Sequence, residues 1–297
     1  MKYLLSALLL GLFPTFQYHG NGYDGSFVEI KYATVDGEPY GVVKLKRAGN
    51  HVKLKYFAFK DQNNTSVYDR YQTWRANRNL IAYSSGTYMS DCNAMAASPV
   101  GICIDQGVTV NDQLVEKDLD GLVIVYATGG IVASNLKEGN LNITEAGGVK
   151  KTLDIRHNPM DLAEFMKWAK DQEATVFQTH LFVYKDQLLV NTNGSPKKGN
   201  RRFLAVCKMD NNDVVHYLIN LPSEATVYEG ARKAFDYLKK YEDVKEVTFM
   251  INLDTGCQDI FTLYDARGNE VTARHFQGDH ARIPLKNAAN ILAYYFE

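Results

Sequence analysis

The sequence predicts an α+β fold: mixed, largely antiparallel sheets with a few helices packed on them, in a single domain. Three observations predict it. Apolar and polar residues alternate in short runs, as in Val42-Val43-Lys44-Leu45-Lys46 and Val52-Lys53-Leu54-Lys55-Tyr56, the mark of strands with one wet face. Helical spacing is confined to a few scattered segments, which argues against a doubly wound parallel sheet. No long Pro/Ser-rich linker, low-complexity run or internal repeat divides the 297 residues.

In chain order, residues 1–17 read as a signal peptide. Lys2 gives a small positive start, Tyr3 to Phe13 is apolar, and Pro14 and Thr15 follow. The run is shorter than the about 18 residues of a membrane span and has the length of a signal core. The expectation is an exported protein, periplasmic or extracellular, with residues 18–297 as its one domain and no integral membrane segment after cleavage. Phe27 to Phe59 reads as antiparallel strands, with turns at Gly37 and Ala48-Gly49-Asn50. Further strands are expected at Asn79–Tyr83, Gly101–Asp105, Leu122–Ala127, Val176–Lys185, Phe203–Met209, Val214–Asn220 and Val247–Leu253.

Three segments read as helices. Asn158-Pro159 supplies an N-cap and a first-turn proline, and Leu162, Phe165, Met166 and Ala169 share a face. Thr226 and Glu229 form a candidate capping box ahead of Ala231, Ala234, Phe235 and Leu238. The last helix is expected to start at Pro284, with Leu285, Ala288, Ala289 and Leu292 inward.

Apolar residues are 45% and charged residues 23%, enough for a substantial core. The net charge of −1 gives no basic field, so nucleic acid is not an expected partner. Cys92, Cys103, Cys207 and Cys257 allow three disulfide pairings, with buried thiols as the alternative. No C-x-x-C, G-x-S-x-G or P-loop occurs.

Four stretches carry chemistry. Ala82-Tyr83-Ser84-Ser85-Gly86-Thr87-Tyr88 runs from a strand into small residues that let a ligand approach the backbone. It is followed by the turn-strand-turn stretch from Pro99 through Gly101 to Gly107. In the second stretch, Gln178-Thr179-His180 interrupts an apolar strand. In the third, Arg201 and Arg202 open another strand, and arginine suits a bidentate grip on phosphate. The fourth, Asn252-Leu253-Asp254-Thr255-Gly256, ends a strand in a carboxylate aimed into a loop. Such a group can serve as acid, base or cation ligand. Each has a plainer reading: a turn cap for Asp254, core packing for Tyr88 and His180, surface ion pairs for the arginines.

Taken together and in order, from Ala82 to Asp259, these stretches resemble the phosphodiester glycosidase domain, the family of the mannose 6-phosphate uncovering enzyme. The match is to its bacterial branch. There a strand ends in Asn-Ala-Gly-Met-Tyr, followed by Pro-Val-Gly-Leu, Gln-Ser-Gly-Pro, an Arg before a strand, and Leu-Asp-Gly-Gly. Gly86, Tyr88, Pro99, Gly101, Gln178 and Asp254 match that pattern. The family Asn falls on Ser84, its Gly-Pro on His180-Leu181, and its Gly-Gly on Thr255-Gly256; the serines that follow fall near Gln258 and Asp259.

The resemblance implies an exported hydrolase that cleaves a sugar-1-phosphodiester at the anomeric carbon. Its catalytic residues are then Asp254, as acid, base or charge stabiliser, with Arg202 or Arg201 on the phosphate. Ser84, Ser85, Gly86, Tyr88, Gln178, His180, Gly256 and Gln258 line the carbohydrate or sugar-phosphate ligand. The resemblance also admits a calcium ion, with Asp259 as metal ligand or second carboxylate and Asp91 as the other candidate carboxylate. The altered Asn and Gly-Gly positions support a different reading, a non-catalytic glycan- or sugar-phosphate-binding envelope protein. His275, Asp279 and His280 form a weaker, loop-borne cluster.

Overall fold

The computed structural model describes residues 22–58, 65–90, 97–145, 147–190, 196–272, 276 and 285–297. The signal-peptide segment, Cys92, Asp91, His275, Asp279, His280 and the expected helix start at Pro284 lie outside the described residues.

Three sheets of more than two strands share one core, and every described strand pair is antiparallel. The largest has seven strands in the order β1 (Val28–Val35), β2 (Glu38–Lys46), β15 (Val214–Ala225), β14 (Gly199–Met209), β16 (Val244–Leu253), β12 (Leu181–Tyr184) and β13 (Gln187–Leu188). A four-stranded sheet orders β17 (Phe261–Leu263), β4 (Asn79–Ser84), β18 (Ile291–Phe296) and β3 (Val52–Phe57). A five-stranded sheet orders β6 (Val108–Asn111), β5 (Cys103–Asp105), β11 (Thr175–Thr179), β7 (Gly121–Val125) and β8 (Ile131–Asn135). A separate hairpin pairs β9 (Leu141–Thr144) with β10 (Lys150–Leu153).

Strand parity explains how the layers stack. Along β14, Leu204 and Val206 point into the shared core, while Phe203, Ala205 and Cys207 face α3 (Val227–Tyr241). The four-stranded sheet sends Leu54, Ile81 and Leu292 inward, and Phe57, Leu80 and Ile291 toward α1 (Val67–Arg75). The five-stranded sheet sends Val123 and Phe177 inward, and Ile124 and Val176 toward α2 (Pro159–Asp171). Each sheet therefore carries one helix on its outer face. Burial on both faces makes the central strands continuous apolar runs rather than alternating ones.

Two expected helices form with the caps the sequence signals. Asn158 accepts from the Met160 N–H ahead of α2, and Thr226 and Glu229 complete a capping box on α3. The third is corrected. Leu285–Asn287 makes a single 3-10 turn, and Leu292 lies in β18, a central strand. The 285/288/289/292 spacing matched a helical face, but Ile291 to Phe296 is an aromatic and β-branched run that buries both faces with period two. The expected strand Val176–Lys185 is two strands in different sheets, with the corner at His180. Helix α1, capped by Ser66, was not foreseen, because only Val67 and Tyr71 of its polar sequence are buried.

Cys257 is disulfide-bonded, while Cys103 and Cys207 are buried free thiols. Among the described residues no helix is long and apolar enough to cross a membrane.

The end of α3 is tied to the large sheet by a buried carboxylate. Glu242 accepts from Lys31 at 2.8 and 2.9 Å, from the Tyr237 hydroxyl at 2.9 Å and from the Tyr217 hydroxyl at 3.3 Å, with Lys44 at 3.5 Å. Removing it strands two tyrosine hydroxyls and two ammonium groups. Glu242→Ala is expected to lower unfolding free energy by roughly 3 kcal/mol, read as a fall in the urea midpoint.

Candidate functional site

The site forms where the three sheets meet. The loop after β4 bends through Ser85-Gly86-Thr87 against the end of β16, and the Asp254 N–H donates to the Gly86 carbonyl at 2.9 Å. Ser85 donates its hydroxyl to the Asp254 carbonyl. Gly86 cannot be replaced without displacement: a Cβ there would stand 2.6 Å from the Tyr56 ring and 2.8 Å from Asn290 Oδ1. Asn290, fully buried, clamps the same loop. It accepts from the Gly86 N–H at 2.8 Å and donates to the Thr87 carbonyl at 2.9 Å. Gln258 donates to that carbonyl as well, at 3.0 Å, and accepts from the Ala289 N–H at 3.2 Å.

Asp254 sits inside this knot with 3% of its surface exposed. Its Oδ1 accepts from the Gly256 N–H at 2.8 Å. A Cβ on Gly256 would stand 3.0 Å from that oxygen, so a larger residue there would press on the carboxylate. Burial pushes the Asp254 carboxyl up to about 6, and the charge of Asp259 adds to the rise. The Gly256 N–H, the Gln258 side chain and Arg202 oppose it. A carboxyl in that range changes charge near neutral pH, as a group that exchanges protons must.

The two arginines have different surroundings because they are adjacent on β14 and point to opposite faces. Arg202 is fully buried toward the shared core. It donates Nη2 to Asp259 at 2.9 Å, Nη1 to the Ile260 carbonyl at 3.1 Å and Nε to Asn220 at 3.2 Å, and its guanidinium lies 4.5 Å from the centre of the Phe261 ring. Arg201 is half-buried beside α3, where a Cβ on Gly230 would meet its side chain at 2.7 Å. It donates Nε to the Ala225 carbonyl at 3.0 Å and Nη2 to the Lys197 carbonyl at 2.8 Å, and its charge reaches the Tyr88 hydroxyl.

A second cluster lies beside Asp254. Asn252 donates to the Tyr88 hydroxyl at 2.5 Å, and its buried Oδ1 has no partner among the described residues. Burial, then the charge of Asp254, holds the Tyr88 hydroxyl well above its usual range. The His180 ring stands edge-on to Tyr88 at 5.1 Å and stacks on Phe182 at 5.6 Å. Burial lowers its pKa. Its Nδ1 lies 2.5 Å from the Asp118 carbonyl, which only accepts. The neutral ring therefore donates through Nδ1 and leaves Nε2 as an acceptor.

The structure thus gathers Ser85, Gly86, Tyr88, Arg201, Arg202, His180, Asp254, Gly256, Gln258 and Asp259 at one junction. Gln178 reaches it only through its backbone, whose carbonyl accepts from the Thr87 hydroxyl at 2.6 Å. The Gln178 side chain turns away. It accepts from the Ile102 and Val115 N–H groups and donates to the Val115 and Leu119 carbonyls, at 2.6–3.2 Å. Gly101, at φ 79°, leaves the room that side chain occupies. Ser84 is buried within β4, and its hydroxyl has no partner among the described residues. Asn252, Asn290, Thr87 and Thr179 were not singled out from sequence. Thr87, Thr179 and Asn252 lie within the stretches that carry chemistry, without a role of their own there, and Asn290 lies in none of them.

Among the described residues no three His, Cys, Asp or Glu side chains converge, and Asp259 commits an oxygen to Arg202. The two described clefts, of about 350 and 620 Å³, lie elsewhere on the surface.

No protein-family model and no curated protein matches the chain. Among solved structures, it is similar to the catalytic domain of zebrafish N-acetylglucosamine-1-phosphodiester alpha-N-acetylglucosaminidase, auto-inhibited by its pro-peptide. That likeness has 12% identity and a TM-score of 0.49, over 94% of this chain and 87% of that one. The chain is also similar to a hypothetical protein from Synechocystis, with 10% identity and a TM-score of 0.46, over 91% of this chain and 62% of that one. At these identities the likeness is one of fold alone.

The raised Asp254 pKa has a stability consequence. With a folded value of about 6 against the ordinary 3.8 of an exposed aspartate, the folded state holds the proton longer. Stability is therefore undiminished below about pH 4 and falls by up to roughly 3 kcal/mol as pH rises through 6. Asp254→Asn removes that penalty. Its melting temperature relative to the parent is expected to be higher at pH 7.5 than at pH 4, and an equal difference at both would mean Asp254 does not titrate in that window.

Proposed function

We propose that the chain is an exported hydrolase that cleaves a sugar-1-phosphodiester, with residues 18–297 as its catalytic domain. The observation that carries this reading is Asp254: a buried carboxyl at a strand end, raised to about 6, packed against the Ser85–Gly86 loop beside an arginine pair. The ordered resemblance from Ala82 to Asp259 supplies the substrate class.

In this reading the Asp254 carboxylate takes a proton from water as the water oxygen bonds to the anomeric carbon. The bond from that carbon to the phosphate oxygen breaks, and its electron pair leaves with the phosphate monoester. A phosphate monoester is a good leaving group and needs little protonation. Arg201 is the better placed arginine for the phosphate, since it is half-buried and its Nη1 makes no hydrogen bond among the described residues. Arg202 holds Asp259 and the strand ends in place. Tyr88, Asn252 and His180 Nε2 offer hydrogen bonds to sugar hydroxyls.

A second reading, a non-catalytic binder of glycans or sugar phosphates, has its own observation. The Gln178 side chain is wholly spent on backbone groups and Arg202 is sealed behind Asp259, so two matched or aligned positions serve the fold.

The deciding measurement is hydrolysis of a panel of sugar-1-phosphodiesters by the purified chain, by Asp254→Asn and by Arg201→Gln. Turnover is expected to rise with pH through about 6 as the base form appears. Asp254→Asn is expected to lose roughly 10²–10⁴-fold of it. Arg201→Gln is expected to raise KM more than it lowers kcat. No turnover by folded protein, with sugar-1-phosphate binding retained in calorimetry, selects the binding protein.

A further inference from the structure

A cleft of about 620 Å³ lies at the C-terminal end of α3, against the β1–β2 hairpin. That volume is within the range of small-ligand sites. Three tyrosines line it in a row. Tyr40 stacks on Tyr237 with centroids 5.4 Å apart, and Tyr237 leans on Tyr241 at 5.6 Å. The row runs from 3% exposed at Tyr40 to 47% at Tyr241, so the buried rings fix the position of an open one. The Tyr237 hydroxyl is spent on Glu242 at 2.9 Å. The Tyr40 hydroxyl makes no hydrogen bond among the described residues, although its ring is almost fully buried.

The charges around the cleft balance. Lys233 pairs with Glu38 at 2.6 Å, and Lys239 with Asp186 at 3.3 Å. The lining itself carries Lys233, Lys239, Arg232 and Lys240 against Asp36 and Asp236, and the balance is reached only with Glu38 and Asp186, which neutralise two of the lysines from outside the lining. A balanced set gives no net attraction to a polyanion. It does give acceptors and donors side by side, which matches hydroxyl groups that both donate and accept. Tyr241 is about half exposed, with the Lys240 ammonium 5.1 Å from its ring centre, and an aromatic ring beside such groups suits the C–H face of a sugar ring once that lysine swings aside.

We infer that this cleft binds an uncharged oligosaccharide, with Tyr241 as the stacking platform and Tyr40 and the Asp236 carboxylate as hydrogen-bonding groups. The site is separate from Asp254. Tyr241 precedes β16 and Asp254 follows it, and the ten residues of that strand span roughly 33 Å. The inference stands whether or not Asp254 is catalytic.

The test is calorimetric titration of the full chain with neutral tetrasaccharides (β-1,4-glucan, β-1,4-N-acetylglucosamine and α-1,4-glucan) and with tetragalacturonate. At least one neutral tetrasaccharide is expected to bind, and more tightly than tetragalacturonate. Tyr241→Ala, at a half-exposed position the fold tolerates, is expected to weaken binding about ten-fold, the usual cost of truncating an aromatic anchor. Tyr40→Phe keeps the ring and is expected to weaken binding less, while Asp254→Asn leaves it unchanged. Three results overturn the inference: no neutral tetrasaccharide binds, tetragalacturonate binds more tightly, or binding survives Tyr241→Ala. Loss in Asp254→Asn with retention in Tyr241→Ala would move the sugar to the Asp254 junction and leave the hydrolase reading intact.

Discussion

Three antiparallel sheets share one apolar core, and the backbone has to be satisfied where they meet. Within a sheet the ladder takes care of the N–H and C=O groups. At the junction the ladders stop, and each orphaned group is buried. The chain answers with short polar side chains. Asn290 covers the Gly86 N–H and, with Gln258, the Thr87 carbonyl. Thr179 covers the Asn252 carbonyl, and Gln178 covers four backbone groups near β5 and β7. A polar pocket in an apolar body is thus a by-product of joining sheets. The same knot delivers Asp254 into a dry setting, and dryness is the first cause of its raised pKa.

Some of this was legible in the sequence. Asp254, Gly256 and Gly86 stand at strand ends in small-residue contexts, a local pattern that needs no fold to be seen. The caps of α2 and α3 are local too. Asn290 is not: its partner Gly86 lies 204 residues away, and an Asn before an apolar strand carries no mark of that contact. The segment after Pro284 shows a different failure. Four residues, Leu285, Ala288, Ala289 and Leu292, satisfied a helical spacing, while the decisive feature was the overlapping run Ile291–Phe296, half of it aromatic and buried on both faces in β18. His180 was visible as a break in an apolar run, but a break within one strand and a corner between two sheets look the same in one dimension.

The arginine pair shows how parity assigns chemistry. Two adjacent arginines look equivalent in sequence, and a one-residue slip exchanges them. On β14 the alternation separates them completely. Arg202 enters the core and must be neutralised there, because an unpaired buried guanidinium is costly. Asp259 does this at 2.9 Å, with Asn220 and the Ile260 carbonyl taking other N–H groups. A cation so fully committed is a brace, and freeing it to meet a substrate would strand Asp259 in turn. Arg201, on the wetter face, pays no such debt. The carboxylate that neutralises Arg202 also adds its charge to the field at Asp254, so the brace and the titrating group are coupled through Asp259. The Arg202–Asp259 pair therefore shapes the chemistry at Asp254 by fixing both the strand ends and the local charge, without either partner needing to touch a ligand.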